Sequence, residues 1–270
     1  MRRPKVIIIR TAGTNCDNET AFAFSIAGAE TELVHINELV RRGKKLDDYH
    51  ILALPGGFTY GDDIASGKIL ANELKFKLED ALTRFVEEGK LIIGICNGFQ
   101  ILVKAGLLPN LSGDLKTIEA TLTLNDSNKF EDRWVFLKKP ETRKQKTECI
   151  WTTGIDKIIS LPVAHGEGKF IPRNSEILKA LKRDGLIALE YVDEKGERRG
   201  FPFNPNGSVG NIAGICDRTG RIFGLMPHPE RHVSFYQSPC WTRAPRKGAD
   251  RDGDGLIIFR NGVKFAKKHL

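Results

Sequence analysis

The chain has 270 residues, a net charge of +8 and five scattered cysteines, with no CxxC pair and no Cys/His cluster at zinc spacing. That pattern excludes a disulfide framework and a zinc finger, and it points to a reducing compartment. No apolar run approaches the ~18 residues of a membrane span, and the run at 6–9 is too short for a signal peptide, so a soluble cytoplasmic protein is expected. Apart from 138–146 (KKPETRKQK) and 264–268 (KFAKK) the basic residues are dispersed. No RNA-binding signature or aromatic-interleaved stripe accompanies them, so neither a nucleic-acid nor a membrane partner is expected.

Residues 5–10 (KVIIIR) suit a first buried strand. The loop Thr11-Ala-Gly-Thr-Asn-Cys16 follows, with Asp17 as N-cap of a helix through Ala27. Residues 30–35 and 49–54 read as the second and third strands. Pro55-Gly56-Gly57-Phe58 breaks the pattern, 59–67 is a polar loop, and an amphipathic helix is expected over 68–88, stopped by Gly89. Residues 91–95 make a short apolar strand. Phe99, Ile101, Leu102 and Val103 continue it as a helix stopped by Gly106. Strands alternating with helices imply right-handed crossovers and a mostly parallel sheet covered on both faces.

From Leu107 the texture changes. Residues 119–124 and 133–137 read as antiparallel strands, and 138–148 as a charged surface hairpin or loop. Further strands are expected at 157–163, 186–192 and 212–216, with a turn at 204–210. Residues 221–226 lead into Pro227-His-Pro-Glu-Arg231, and 255–270 carry enough apolar residues for a closing helix. Asp250-Arg-Asp-Gly-Asp-Gly255 resembles the start of a calcium loop, but Asn261 stands where its last Glu belongs, so a turn is expected. No repeat or linker divides the chain, which reads as one domain, 1–270, with an antiparallel insertion.

The chemistry concentrates in 90–106 (KLIIGICNGFQILVKAG). A small cysteine ending a core strand is often plain packing. Here Gly94 and Gly98 flank Cys96 at a strand–helix junction, the pattern of a nucleophile elbow. The helix dipole and free N–H groups favour a thiolate at that point. A cysteine nucleophile needs a base, and the base an orienter. Two segments have that form, His165-Gly-Glu167 and His228-Pro-Glu230. In extended chain residues i and i+2 point the same way, so either Glu could hold its own His. Pro227 and Pro229 fix the second segment, whereas Gly166 and Gly168 leave the first pliable, so composition favours His228. Pro55-Gly56-Gly57-Phe58 supplies bare backbone N–H groups which, with that of Asn97, would make an oxyanion hole. Gln100 lies one helical turn beyond Cys96, where it could face a substrate. Gly13 to Asp17 also follows a strand, at the edge where open α/β sheets bind ligands, but Asp17 beside Cys16 opposes a thiolate there.

Gly94-Ile-Cys-Asn-Gly-Phe-Gln100 together with His228-Pro-Glu230 resembles the triad, or class I, glutamine amidotransferases. The likeness extends through Gly13-Thr-Asn-Cys-Asp17, Pro55-Gly-Gly-Phe-Thr-Tyr-Gly-Asp62, His165-Gly-Glu-Gly168 and Asn204-Pro-Asn-Gly-Ser208. In these the chain is similar to the family of glutaminase subunits that serve phosphoribosylformylglycinamidine synthase in purine biosynthesis. The likeness covers nearly the whole chain, with 138–148 outside it. It implies an α/β fold, a flavodoxin-like three-layer sandwich whose mostly parallel sheet carries a small antiparallel insertion. It also implies Cys96 as nucleophile, His228 as base and Glu230 as orienter, with Gly57, Phe58, Asn97, Gln100 and His165 binding substrate and no metal. Glutamine would be hydrolysed through a cysteine thioester and its ammonia passed to a separate synthetase subunit, which makes formylglycinamidine ribonucleotide. A small accessory subunit would complete the complex. The chain shows no Walker A or GxGxxG, so no cofactor is expected in it, and ATP and Mg would belong to the synthetase. The rival reading is another Cys-His-Glu hydrolase of the same fold, a peptidase or deglycase.

Overall fold

Apolar runs without alternation need cover on both faces, and that demand sets the architecture here. The computed structural model describes residues 3–140, 146–243 and 252–270. In chain order its first half holds β1 (Lys5–Arg10), α1 (Asp17–Ile26), β2 (Glu30–His35), α2 (Ile36–Val40), β3 (Ile51–Leu54), α3 (Lys68–Lys77), α4 (Glu79–Glu87), β4 (Leu91–Ile95) and α5 (Asn97–Lys104). The second half holds β5 (Ala120–Thr123), β6 (Glu131–Lys138), β7 (Ile159–His165), β8 (Lys169–Pro172) and α6 (Ser175–Asp184). It closes with β9 (Ile187–Val192), β10 (Ile212–Cys216), β11 (Ile222–Leu225) and α7 (Leu256–His269).

One sheet runs β2-β1-β3-β4-β11-β10-β9-β6-β7. From β2 to β11 neighbouring strands are parallel, in the strand order of a flavodoxin-like sheet. β3, β4 and β11 are buried along their whole length. Leu54 pairs with Gly94 and Leu225 with Ile95, so the carboxyl ends of these three strands are level. Everything that leaves them therefore emerges side by side: the 55–58 turn, Cys96 and the 227–231 segment. α5 lies against β3, β4 and β11 with α3 behind it. α1 packs against α7, where the rings of Phe24 and Phe259 meet edge to face at 4.9 Å.

The antiparallel strands do not form a body apart. β10, β9, β6 and β7 continue the same sheet, and β5 pairs with β8 in a separate small one. Among the described residues no helix is long and apolar enough to cross a membrane.

The structure departs from local expectation in several places. The helix expected over 68–88 breaks at Leu78 (φ −125°, ψ 15°), and α4 restarts with Glu79 and Asp80 in its first turn, an acidic start signal. Cys16, not Asp17, occupies the cap position of α1, and Asp17 instead pairs with Arg10 at 3.1 Å. Helix α6 adds to the expected elements, and its ends are marked. Asn174 accepts from the Ile177 N–H at 3.0 Å, and Gly185 closes the helix in the left-handed region. Strand β8, between Gly168 and Arg173, and the short helix α2 after β2 are further additions. Of the 138–148 segment, 141–145 lie outside the described residues, as do Asp250 and Arg251 of the acidic turn. Within the remainder of that turn, Asp252 pairs with Arg260 and Asp254 accepts from the Ser160 N–H at 2.9 Å.

Candidate active site

Cys96 follows β4 directly and has φ +51° and ψ −105°, a strained backbone for a residue with a Cβ. Its N–H donates to the Leu225 carbonyl at 2.8 Å, and its own carbonyl accepts from the Phe99 and Gln100 N–H groups. The strain is held by β11 on one side and the first turn of α5 on the other. Gly98 explains why the elbow needs glycine: a Cβ there would sit 1.9 Å from the Leu54 carbonyl oxygen. Among the described residues no hydrogen bond engages the Asn97 N–H, so the helix start keeps an open donor beside the sulfur. The thiol itself is buried, 3.7 Å from the Ala164 carbonyl.

His228 leaves β11 between two prolines, and its N–H donates to the Pro162 carbonyl at 2.8 Å. Its Nδ1 donates to Glu230 Oε1 at 2.6 Å, with both side chains buried. That contact fixes the tautomer and leaves Nε2 without a hydrogen-bond partner among the described residues. Burial alone would hold the ring neutral. The Glu230 carboxylate and then Cys96 outweigh it and raise His228 well above the ordinary histidine range.

His165, at the end of β7, has the opposite surroundings. Burial and then the charge of His228 push it down to about 4, so it is neutral at pH 7. Both ring nitrogens are engaged, Nδ1 with Asn125 Oδ1 at 3.2 Å and Nε2 with Asn206 Nδ2 at 3.4 Å. Asn125 Oδ1 also accepts from the Gly168 N–H, so His165 helps shape the turn that carries Glu167. Glu167 does not reach His165. Its backbone carbonyl accepts from Gln100 Nε2 at 2.6 Å.

The turn after β3 closes over this pair. Gly57 has φ +145°, and a Cβ on it would meet Asn15 N and Gly13 O at 2.8 Å. No hydrogen bond engages the Gly57 N–H among the described residues, whereas the Phe58 N–H donates to the Gly13 carbonyl at 2.9 Å. Phe58 is therefore no oxyanion donor. Its ring is half exposed, 6.2 Å from that of Phe130. Gln100 does lie on the Cys96 side of α5, but its amide is tied at both ends, to Asn97 Nδ2 (2.9 Å) and to Glu167. Asn97 in turn accepts from Thr59 Oγ1 at 2.7 Å and donates to Asp62. Thr59, Asn125 and Asn206 are given no role by the sequence alone, although Thr59 and Asn206 lie inside the displayed motifs.

Cys16, His228 and Glu230 bring ligand-type atoms within 4.8 Å of one another. A protein cation already stands at that corner, because Arg231 Nη2 lies 3.2 Å from the Cys16 sulfur.

Residues 3–266 match the model of the CobB/CobQ-like glutamine amidotransferase domain. The chain is 49% identical to phosphoribosylformylglycinamidine synthase subunit PurQ of Dehalococcoides mccartyi, over 99% of this chain and 100% of that one. It is 43% identical to the subunit of the same name from Methanococcus maripaludis, over 98% of each. Among solved structures it resembles a chain of PurLQS from Thermotoga maritima, with 31% identity, a TM-score of 0.70, and 97% and 99% of the two chains covered. A glutamine amido transferase from Methylobacillus flagellatus, at 15% identity and a TM-score of 0.52 over 100% and 96% of the chains, shares the fold.

Proposed function

The chain belongs to the CobB/CobQ-like glutamine amidotransferases, and on that premise we propose that Cys96, His228 and Glu230 carry out acyl transfer from the side-chain amide of glutamine. Its full-length likeness to PurQ subunits makes it the glutaminase component of phosphoribosylformylglycinamidine synthase, in purine biosynthesis. The observation that carries the residue assignment is the buried 2.6 Å contact of His228 with Glu230, which leaves the ring's Nε2 open among the described residues. His165 lacks any such partner.

Cys96 attacks as the thiolate and forms a C–S bond to the amide carbon. The oxygen that gathers charge is met by the Gly57 and Asn97 N–H groups. His228 protonates the leaving nitrogen as the tetrahedral centre collapses, and ammonia departs from a γ-glutamyl thioester. Water, deprotonated by His228, then cleaves the thioester and releases glutamate. Glu230 holds the ring in the tautomer that serves both steps.

Ammonia goes to a synthetase subunit, with the help of a small accessory subunit, and ATP and Mg are consumed there; this chain carries no cofactor. Residues 1–270 act as one amidotransferase domain. Phe58, Ile64 and Phe130 leave large apolar surface exposed on and beyond the turn, a fit for a docked synthetase. Five free cysteines suit a reducing cytoplasm. Docking would also set the oxyanion turn, since Tyr60, Gly61 and Asp62 all hold positive φ just beyond it. The test is steady-state glutamate release from glutamine with and without the synthetase. The free subunit should turn over at least about 10²-fold more slowly, the usual loss for one misplaced oxyanion donor. Equal turnover in the two states overturns the coupling.

A further inference from the structure

The loop between β1 and α1, Gly13-Thr-Asn-Cys-Asp17, has no part in the chemistry above, yet it touches both halves of the site. The Gly56 carbonyl accepts from the Cys16 N–H at 3.2 Å and the Asn15 N–H at 3.4 Å. The Phe58 and Tyr60 N–H groups donate back to Gly13 and Ala12 at 2.9 and 2.8 Å, and Thr14 pairs with Gly57 as an antiparallel bridge. The oxyanion turn is thus strapped to this loop.

On the other side the Cys16 sulfur lies 3.9 Å from His228 Nδ1. Burial, above all, raises this thiol, so it stays protonated and donates to Asn15 Oδ1 at 3.1 Å. Its sulfur accepts from Arg231 Nη2, whose guanidinium also grips Glu19 on the first turn of α1 at 3.1 Å. Gly56 completes the packing, because a Cβ on it would sit 2.7 Å from His228 Cε1 and 3.2 Å from the Cys16 sulfur.

We propose that Cys16 is a positioning residue for the glutaminase reaction. Its backbone N–H sets the oxyanion turn through Gly56, and its sulfur braces the Glu230 side of the His228 ring and anchors Arg231. One residue thereby fixes the distance between the oxyanion donors and the base. The proposal rests on the reading of His228 as that base. The groups facing His228 are Glu230 from its own turn, Cys96 from the elbow, Cys16 from the β1–α1 loop and His165 from β7, with Arg231 behind Cys16.

The test uses Cys16→Ala and Cys16→Ser in the assembled synthase, with kcat and KM for glutamine measured across pH. Ammonia-dependent synthesis reports fold and docking independently of this site. Cys16→Ala should lower glutamine-dependent kcat about tenfold, as loss of a group that orients a catalytic ring through its far nitrogen does, with KM nearly unchanged. The contact favours the imidazolium, so its loss should move the alkaline limb of the profile to lower pH. Cys16→Ser, which can still donate to Asn15 and accept from Arg231, should recover most of the rate. Wild-type kcat and pH profile in Cys16→Ala overturn the proposal, as does an equal fall in ammonia-dependent synthesis, or no recovery with serine. His228→Asn in the same assay tests the base separately: retained thioester formation there removes the base assignment whatever Cys16 does.

Discussion

Two segments of this chain share the pattern His-x-Glu and the same sheet edge, yet their histidines are shifted in opposite directions, His228 up and His165 down. His228 sits in a turn stiffened by Pro227 and Pro229, with Glu230 at hydrogen-bond distance of Nδ1 and Nε2 left open among the described residues. His165 closes β7 with Gly166 and Gly168 about it, and two asparagines occupy its nitrogens. Glu167 takes no place at either nitrogen, and its carbonyl accepts from Gln100. A histidine becomes a base when a carboxylate reaches one nitrogen and nothing but the nucleophile reaches the other. Satisfied at both nitrogens, it becomes a strut.

The difference is breakable by substitution. His228→Ala should lower glutamine-dependent turnover by roughly 10²-fold or more, whereas His165→Ala should act mainly on glutamine binding or coupling. Loss of thioester formation in His165→Ala with retention in His228→Ala would invert the assignment. The carboxylates should follow their histidines. Glu230→Gln should cost about ten- to a hundredfold in kcat by releasing the ring tautomer, and Glu167→Gln, whose side chain orients neither ring, should leave kcat near wild type. A smaller effect is expected at Gly56, where the added methyl of Gly56→Ala must displace the His228 ring. There a fall in kcat with intact ammonia-dependent synthesis would separate a shifted base from a damaged fold.

How far this contrast is legible in the sequence depends on the range of the contacts involved. Cys96, its flanking glycines and the two prolines around His228 act over a few residues, and so are visible in order along the chain. The parallel half of the sheet is visible for the same reason, as short apolar runs spaced by helices. Hidden are the features set by distant partners. Cys16 and Arg231 meet across 215 positions, and Gln100 finds Glu167 across 67. Gln100 on its own looks free to meet a substrate, and only the turn built by His165, Asn125 and Gly168 shows its amide to be engaged. The break at Leu78 and helix α6 are different, since their signals are local: Glu79 and Asp80 open α4, and Asn174 and Gly185 bracket α6.

The smallest expected effect is on stability, and there the two histidines should differ in sign. His165, lowered in the fold, favours the native state above the ordinary histidine value, and that support fades as pH falls from 6.5 toward 4. His228, raised in the fold, favours it fully below 6.5, and that support fades as pH climbs through the raised value. Thermal melts of His165→Gln should therefore approach wild type at pH 5, while those of His228→Gln should fall furthest behind there. The same trend for both variants would mean that their environments are not opposed.

The most direct measurement is acid quench of the synthase during glutamine turnover, followed by mass spectrometry of its cysteine peptides. A γ-glutamyl adduct should appear on Cys96 in the wild type and in His165→Ala at saturating glutamine, and be absent in His228→Ala. An adduct on Cys16, or an undiminished one on Cys96 in His228→Ala, would contradict the account.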